Sequence, residues 1–449
     1  MIINSITELI GNTPLLRIPQ EVSGLQNIDL YAKLEMMNPF GSVKDRIAWS
    51  MLRPHLAELK EGKKLVLENS SGNTAKALQA ICGMHGISFK LVTAMARIPE
   101  PKKVLKVLGA EIEEIPSASD CFDPNDPNDP QYLIERIVED NPDKAFFTSQ
   151  FTNKSNPDEH YQSTGSEIIE DLKTVDYLIG GLGTSGSTFG AGKRIRETSP
   201  DLKLFGLTAE KYDFIPGIRT VDEMWETGVY QESAYDKIQP ISSSKALDGM
   251  LTLNRRCGLL CGPTSGANFE GALDLLKGED LQLQESGERK TAVFIVCDRL
   301  EWYISYIENR RPELFGEVSE KKRLYGLSIE EIEEAPARTA TDLPNWLESA
   351  NPLVVDVRSK VAFQLGSLPD AVNIPLEILE PLLESGHPFE KKRPVLFVCQ
   401  IGVKTRAAAA YLCAQGYEAY HLEGGIRAWR DRGENLWEQI VPTGSSYQL

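Results

Sequence analysis

The sequence predicts an α/β protein with two parts, a large domain built on mostly parallel sheets and a smaller α/β domain after it. Short apolar runs at residues 65–67, 90–93, 175–179, 204–207 and 292–296 alternate with amphipathic stretches at 74–85, 102–108 and 187–197. That alternation is the signature of strands joined by crossover helices. After a charged stretch at 308–323 the pattern restarts with Leu353-Val354-Val355-Asp356-Val357-Arg358 and runs to about Trp437. A chain of 449 residues also exceeds what one core ordinarily organises. The expected division is a first domain at 1–307, a linker at 308–325, a second domain at 326–438 and a polar tail at 439–449. The run Asp123-Pro124-Asn125-Asp126-Pro127-Asn128-Asp129-Pro130 suits neither helix nor strand and is expected to be a surface loop.

Composition narrows the function. An apolar content of 41% with 25% charged residues is that of a soluble globular protein. A net charge of −17 without a basic block argues against nucleic-acid or anionic-membrane partners. No long uncharged apolar span is present, and the opening Met1-Ile2-Ile3-Asn4-Ser5 lacks the pattern of a signal peptide. The seven cysteines include no CxxC pair, which fits reduced thiols in a cytoplasm. The five histidines show no HxxxH or HExxH spacing, so no protein metal site is expected.

The first chemical signal is Asn38-Pro39-Phe40-Gly41-Ser42-Val43-Lys44-Asp45-Arg46. It follows a predicted strand at 28–35, crosses a Pro/Gly turn and enters an apolar-periodic helix. A lysine there is partly desolvated and lies near helix-terminal N–H groups. Both effects favour the neutral, nucleophilic amine that forms Schiff bases. Three further loops each follow a strand and open a helix. Asn69-Ser70-Ser71-Gly72-Asn73-Thr74 offers hydroxyls, an amide and free N–H groups to a carboxylate. Gly180-Gly181-Leu182-Gly183-Thr184-Ser185-Gly186-Ser187 suits a phosphate, yet it is neither a Walker A nor a dinucleotide fingerprint. Cys261-Gly262-Pro263-Thr264-Ser265-Gly266-Ala267 is the third.

In that order, together with Ile10-Gly11-Asn12-Thr13-Pro14-Leu15, Gln150-Phe151, Asn156-Pro157, His160 and Thr164-Gly165, these segments resemble the cysteine synthase and cystathionine β-synthase family. Its members are fold-type II pyridoxal-phosphate enzymes, with two open-sheet α/β subdomains. The resemblance implies pyridoxal 5′-phosphate as cofactor and Lys44 as the Schiff-base residue and general acid/base. It implies that Asn73 contacts the cofactor's 3′-oxygen and that Ser71, Gly72, Thr74 and Gln150 hold the substrate carboxylate. Gly183, Thr184, Ser185, Gly186 and Ser187 would bind the phosphate, and Thr264 the ring nitrogen. A hydroxyl at that nitrogen steers chemistry toward β-elimination and β-replacement. The sequence departs from the family at GTSGS for GTGGT, at Pro263-Thr264 for Ile-Ser, and at Cys297-Asp298-Arg299-Leu300 for Pro-Asp-Ser-Gly. The last change adds Arg299 on the cofactor side and leaves the choice of substrate and nucleophile open. A homodimer is implied by the family alone.

In the second domain Cys399 follows a predicted strand at 395–398 and begins Cys399-Gln400-Ile401-Gly402-Val403-Lys404-Thr405, ahead of a helix at 406–414. Inward N–H groups and Lys404 would stabilise a thiolate there. With Asp356-Val357-Arg358, the run from Gly366 to Pro375, and Leu422-Glu423-Gly424-Gly425-Ile426-Arg427-Ala428-Trp429, the domain resembles a single rhodanese. The resemblance implies that Cys399 carries sulfur as a persulfide. Lys404 stands where the usual loop has Arg, keeping the charge without the planar fork. A phosphatase would need Arg where Thr405 stands. Cys413 is expected in the core.

The expected activity is β-replacement on O-acetyl- or O-phosphoserine through an aminoacrylate, giving L-cysteine or a related thiol amino acid. Sulfur would come from thiosulfate, a persulfide or a sulfur-carrier protein by way of Cys399. The alternative is an amine or thiol donor, giving 2,3-diaminopropionate or cystathionine, with the second domain a regulatory or docking module.

Overall fold

The apolar run at 292–296 is buried on both faces, as at the middle of a parallel sheet and not at its edge. The computed structural model describes residues 2–70, 72–93, 98–114, 130–316, 327–385 and 389–433. Of the predicted Asp-Pro-Asn loop at 123–130, residues 123–129 lie outside them, as do Ser71 and the predicted tail; Pro130 instead opens the helix Pro130–Asp140, where its missing N–H costs nothing. One compact unit comprises Met1–Glu113 and Ile134–Phe315; a second contains the residues from Gly316 onward.

The first unit carries β1 (Leu15–Arg17), β2 (Ile28–Leu34), β3 (Leu65–Glu68), β4 (Phe89–Thr93), β5 (Glu111–Glu114), β6 (Ala145–Phe147), β7 (Tyr177–Gly181), β8 (Lys203–Ala209), β9 (Lys237–Ile241) and β10 (Lys290–Val296). They form a six-stranded sheet in the order β1-β2-β10-β7-β8-β9 and a four-stranded sheet in the order β5-β4-β3-β6. In the larger sheet β1 is antiparallel to β2 and every other pair is parallel. In the smaller sheet β3 runs parallel to both β4 and β6. The helix Pro263–Ser286 contributes Phe269, Ala272 and Leu276 to the core of the larger sheet. The helices Lys44–Leu52 and Asn73–His85 contribute Ile47, Met51, Leu78 and Ile81 to that of the smaller.

Strand β7 ends two residues later than its apolar run suggests, because Gly180 and Gly181 continue the ladder opposite Gly206 and Leu207. A Cβ at Gly180 would come 2.6 Å from Thr188 Cγ2, and one at Gly181 would come 2.6 Å from Ile218 Cδ1. Close packing puts glycine in this strand, which makes it read as loop. Of the expected linker, residues 308–310 continue the helix Ile304–Arg310, whose Tyr306 and Ile307 pack with Leu247 and Met250.

The second unit contains β11 (Ala337–Arg338), β12 (Leu353–Asp356), β13 (Val372–Asn373), β14 (Val395–Val398) and β15 (Ala419–Leu422). They form a parallel sheet in the order β11-β15-β14-β12-β13. Side chains alternate across β14: Val395 and Phe397 enter one core, Leu396 and Val398 another. Cys413 packs beside the first of these, as the sequence predicts, and its thiol donates to the Ala419 carbonyl at 3.3 Å. Among the described residues no helix is long and apolar enough to cross a membrane.

A buried ion cluster fixes the helix that begins at Lys44. Arg46 is fully buried; its Nε and Nη2 donate to the two Glu35 oxygens at 2.7 Å each. Its Nη1 and Nη2 donate to Glu167 at 2.6 and 2.7 Å, and Lys33 Nζ donates to Glu167 at 2.7 Å. Gly11, at φ +91°, passes so close that a Cβ would stand 2.9 Å from Arg46 Nη1. The N-terminal Ile-Gly-Asn-Thr-Pro motif is thus the wrapping of this cation, with Thr13 Oγ1 donating to Glu35 at 2.7 Å.

Replacing Arg46 by methionine leaves two carboxylates buried with one cation. It should lower the unfolding free energy of the first unit by about 3–5 kcal/mol in urea denaturation. Burial alone would raise the Glu167 carboxyl, but Arg46 and Lys33 hold it at about 2 against an ordinary 4.5. Its stabilising contribution is therefore full above the ordinary value and disappears as pH falls from there toward 2. Stability should drop across that window, and Glu167→Gln should flatten the drop.

Candidate functional site

Lys44 is the first residue of its helix, reached through a turn in which Gly41 adopts φ +89°. The loop is stitched to the end of β10: Val43 N–H donates to the Cys297 carbonyl at 2.8 Å, and Ser42 forms an antiparallel bridge with Asp298. Lys44 is half-buried, and burial lowers its proton affinity while Cys297 and Asp298 oppose the shift. A neutral amine is therefore more accessible here than on a surface lysine. The neighbouring Asp45 accepts from Phe40 N–H at 2.6 Å and from Ser42 Oγ at 3.1 Å, and burial pushes its carboxyl up to about 7.

Strand β3 delivers the second loop. Gly72 precedes the helix Asn73–His85, and a Cβ there would meet no atom within 4 Å, so the space above it is open. Thr74 Oγ1 donates to Gln150 Oε1 at 2.7 Å, and Gln150 Nε2 donates to the Asn69 carbonyl at 3.1 Å. Two residues 76 positions apart, both assigned to the substrate carboxylate, thus touch. Beneath them Glu68 is fully buried and accepts from Asn69 N–H at 3.0 Å, Gln150 N–H at 3.3 Å and Thr148 Oγ1 at 2.6 Å. Burial pushes that carboxyl up to about 7.

The glycine-rich loop after β7 opens the helix Gly186–Ile195, with Ser185 in the left-handed region at φ +62°. Asn156 ties this loop to the previous one: its Nδ2 donates to the Gln150 carbonyl at 2.8 Å and to Thr184 Oγ1 at 3.0 Å. A Cβ at Gly183 would stand 2.5 Å from the Gly217 carbonyl, and one at Gly186 would stand 2.0 Å from Asn156 Oδ1, so both positions require glycine. Ser187 lies in the first turn of the helix. Thr264 lies in the first turn of Pro263–Ser286 and donates to the Pro216 carbonyl. Asn73 Nδ2 donates to Asp298 at 2.7 Å, whereas its Oδ1 is buried without a hydrogen-bond partner among the described residues.

These features fit pyridoxal phosphate. A ten-residue helix N-terminus behind a glycine-rich turn suits its phosphate, and the orphaned Asn73 Oδ1 awaits a polar partner. Lys44, Asn73, Gly183–Ser187 and Thr264 would hold the group. Ser71, assigned with Gly72 and Thr74, lies outside the described residues.

In the second unit Cys399 follows β14 and is buried, its Sγ accepting Gly402 N–H at 3.2 Å, with Thr405 Oγ1 at 3.6 Å. Gly402 takes φ +80°, and a Cβ there would meet the Leu422 carbonyl at 2.5 Å. The carbonyls of Cys399 and Gln400 accept Ile426 and Arg427 N–H at 3.0 Å each, which pins the loop from behind. Lys404 and Thr405 already belong to the helix Lys404–Ala414, two residues earlier than the apolar pattern predicts. Ile401 and Val403 are exposed at the loop surface. Arg358 Nη2 reaches Asp356 at 2.7 Å and the Gly366 carbonyl at 2.6 Å, so the Asp-Val-Arg motif is a buried brace.

Sequence reasoning gave no role to Asn156, Glu68 or Lys76. Asn156 stood in a noted motif. Lys76 had a usable signal, a lone cation inside the apolar pattern of its helix: it is buried, with its ammonium 3.8 Å from the Trp302 ring centroid. Arg299, expected on the cofactor side, is exposed; its guanidinium packs over Gly41, and Nε donates to the Met36 carbonyl at 3.0 Å.

Comparison with known proteins agrees with this geometry. Residues 6–298 match the family described as pyridoxal-phosphate dependent enzyme, and residues 339–432 match the rhodanese-like domain. Cysteine synthase B of Pseudomonas aeruginosa is 31% identical over 310 residues, covering 67% of this chain and 96% of that protein. The crystal structure of a hydrogen sulfide-producing enzyme from Fusobacterium nucleatum superposes with a TM-score of 0.58 at 30% identity, covering 68% of this chain and 99% of that one. An O-acetylserine dependent cystathionine β-synthase from Helicobacter pylori gives 0.59 at 26% identity, covering 68% and 98%. The chain belongs to the cysteine synthase family of pyridoxal-phosphate dependent enzymes and carries a rhodanese-like domain behind the catalytic one.

Proposed function

We propose that this enzyme catalyses β-replacement on O-acetyl- or O-phospho-L-serine, giving L-cysteine or a related thiol amino acid, with sulfur delivered through a persulfide on Cys399. The observation that carries the reading is the presence in one chain of the Lys44 site and a buried cysteine whose sulfur accepts a backbone N–H. When bound, pyridoxal phosphate withdraws electrons from the substrate α-carbon, which labilises its proton and the β-leaving group. The substrate carboxylate lies at the N-terminus of the helix Asn73–His85, against Gly72, Thr74 and Gln150. Lys44, its proton affinity lowered by burial, takes the α-proton at Nζ and returns it after the sulfur has added. Thr264 supplies a hydroxyl to the ring nitrogen.

At the second site the Cys399 thiolate attacks the outer sulfur of thiosulfate, forming a Cys399 S–S bond and releasing sulfite. Two equivalents of a reducing thiol then liberate that sulfur as sulfide, becoming a disulfide and restoring the Cys399 thiolate. The Gly402 N–H aimed at Sγ complements negative charge on either sulfur species. The partners are an activated serine, a sulfur donor (thiosulfate, a small persulfide or a sulfur-carrier protein) and, by family analogy, a second copy of the chain.

The test is product analysis with acetylserine or phosphoserine against sulfide, thiosulfate with a reducing thiol, and amine donors. Cysteine from sulfide and from thiosulfate is expected; 2,3-diaminopropionate as the main product would overturn the reading. Cys399→Ser should lose thiosulfate-dependent synthesis and keep that from sulfide, and equal retention of both would sink the relay. Lys44→Ala should lose roughly 10²–10⁴-fold or more in synthesis from either donor. It should still gain one sulfur on Cys399 from thiosulfate, read by intact mass.

A further inference from the structure

We propose that Glu68 is a positioning residue for the substrate carboxylate: it ties together the two loops that receive that group, and it takes up a proton from solvent as the group binds. This rests on the reading of Gly72, Thr74 and Gln150 as the carboxylate site. Strands β3 and β6 run side by side, with Leu67 opposite Phe147, so the segments that follow them meet. Glu68 closes β3 and is fully buried. Its Oε1 accepts the Asn69 N–H at 3.0 Å; its Oε2 accepts the Thr148 hydroxyl at 2.6 Å and the Gln150 N–H at 3.3 Å. Between those last two donors Ser149 takes φ +52°, a region that residues with side chains seldom enter, and the chain so bent presents the Gln150 N–H to Glu68. Gln150 in turn accepts from Thr74 Oγ1 and donates to the Asn69 carbonyl. One carboxyl thus sets the backbone on both sides of the site.

That carboxyl has two bonded states. Ionised, it accepts from all three donors. Protonated at Oε2, it donates to Thr148 Oγ1, whose own proton turns to the Leu67 carbonyl at 3.3 Å, while Oε1 still accepts the Asn69 N–H. The exchange is open because a hydroxyl both donates and accepts. Burial pushes the carboxyl up to about 7 against the three donors, and no charged side chain among the described residues acts on it. A second anion arriving at Thr74 and Gln150 is repelled by the ionised form alone. Carboxylate binding and protonation of Glu68 therefore favour each other. By linkage, this contribution to affinity is full where Glu68 is already protonated and is lost as pH rises through its range.

The experiment is the affinity of the full-length holoenzyme for L-alanine, which carries the carboxylate and has no β-leaving group, read from the cofactor's visible absorbance. Glu68→Gln keeps the neutral pattern at every pH, with its amide N–H₂ toward Thr148. The ratio of wild-type to variant dissociation constants cancels the titration of the alanine amine and of the cofactor. Between about pH 6 and about pH 8.5 that ratio should rise from about one to roughly five- to fiftyfold. A ratio flat in pH overturns the proposal, since a role in folding alone changes stability, or affinity equally at every pH. Gln150→Ala separates the premise: if it leaves alanine affinity unchanged, the carboxylate reading fails. If it weakens alanine while the Glu68→Gln ratio stays flat, the role of Glu68 fails. A second measurement needs no variant. At about pH 8, the infrared difference spectrum of wild type with alanine labelled at its carboxyl carbon should gain a protonated-carboxyl band as alanine binds. Absence of that band would overturn the proton uptake.

Discussion

The geometry around Lys44 depends on a charge that never reaches solvent. Arg46 is fully buried, and its side chain is shared between Glu35 at the end of β2 and Glu167 on the helix Thr164–Leu172. A planar, permanently charged fork accepts two bidentate carboxylates in a way that a lysine cannot. Two cations, Arg46 and Lys33, meet two anions, so the cluster is neutral as a whole and each member becomes costly only when another is removed. Because Arg46 is two residues from Lys44, fixing the guanidinium fixes the first turn of the helix and the height at which the amine emerges.

A second seam joins that turn to the cofactor side. Cys297 and Asp298 receive the lysine loop through the Val43 N–H and the Ser42 bridge, and Asp298 holds Asn73 on the opposite helix. Asn156 does the same between Gln150 and Thr184. Asn73 of the loop after β3 and Thr184 of the glycine-rich loop are thus each held by a buried side chain from elsewhere in the chain. Preorganisation of this kind lets weak individual contacts act together on one ligand.

The alternation of apolar runs and amphipathic stretches was enough to read the parallel sheets, because burial on both faces leaves an uninterrupted Val/Ile/Leu/Phe signal as in β10. It failed at Gly180 and Gly181, where close packing replaces the side chains that carry such a signal. The chemistry-bearing loops were legible for a local reason: each occupies a strand-to-helix junction, whose residue types announce free N–H groups. Their mutual contacts were not legible. Asn73 and Asp298 are 225 residues apart, and Gln150 and Thr74 are 76 apart; no periodicity encodes such pairings. Arg299 shows the limit well. It departs from the family pattern near the cofactor, yet its neighbour Asp298 faces Asn73 while Arg299 covers Gly41.

The proposed relay joins two sites, with sulfur held as a persulfide on Cys399 and a carbon acceptor prepared at the Lys44 site. The most direct measurement is a single turnover. Cys399 is loaded from thiosulfate carrying an isotopic label in its outer sulfur, excess donor is removed, and activated serine is added with a reducing thiol. Labelled cysteine formed in proportion to the loaded persulfide is the predicted result. Label that remains on Cys399, or that leaves entirely as sulfide while no labelled amino acid forms, would contradict it.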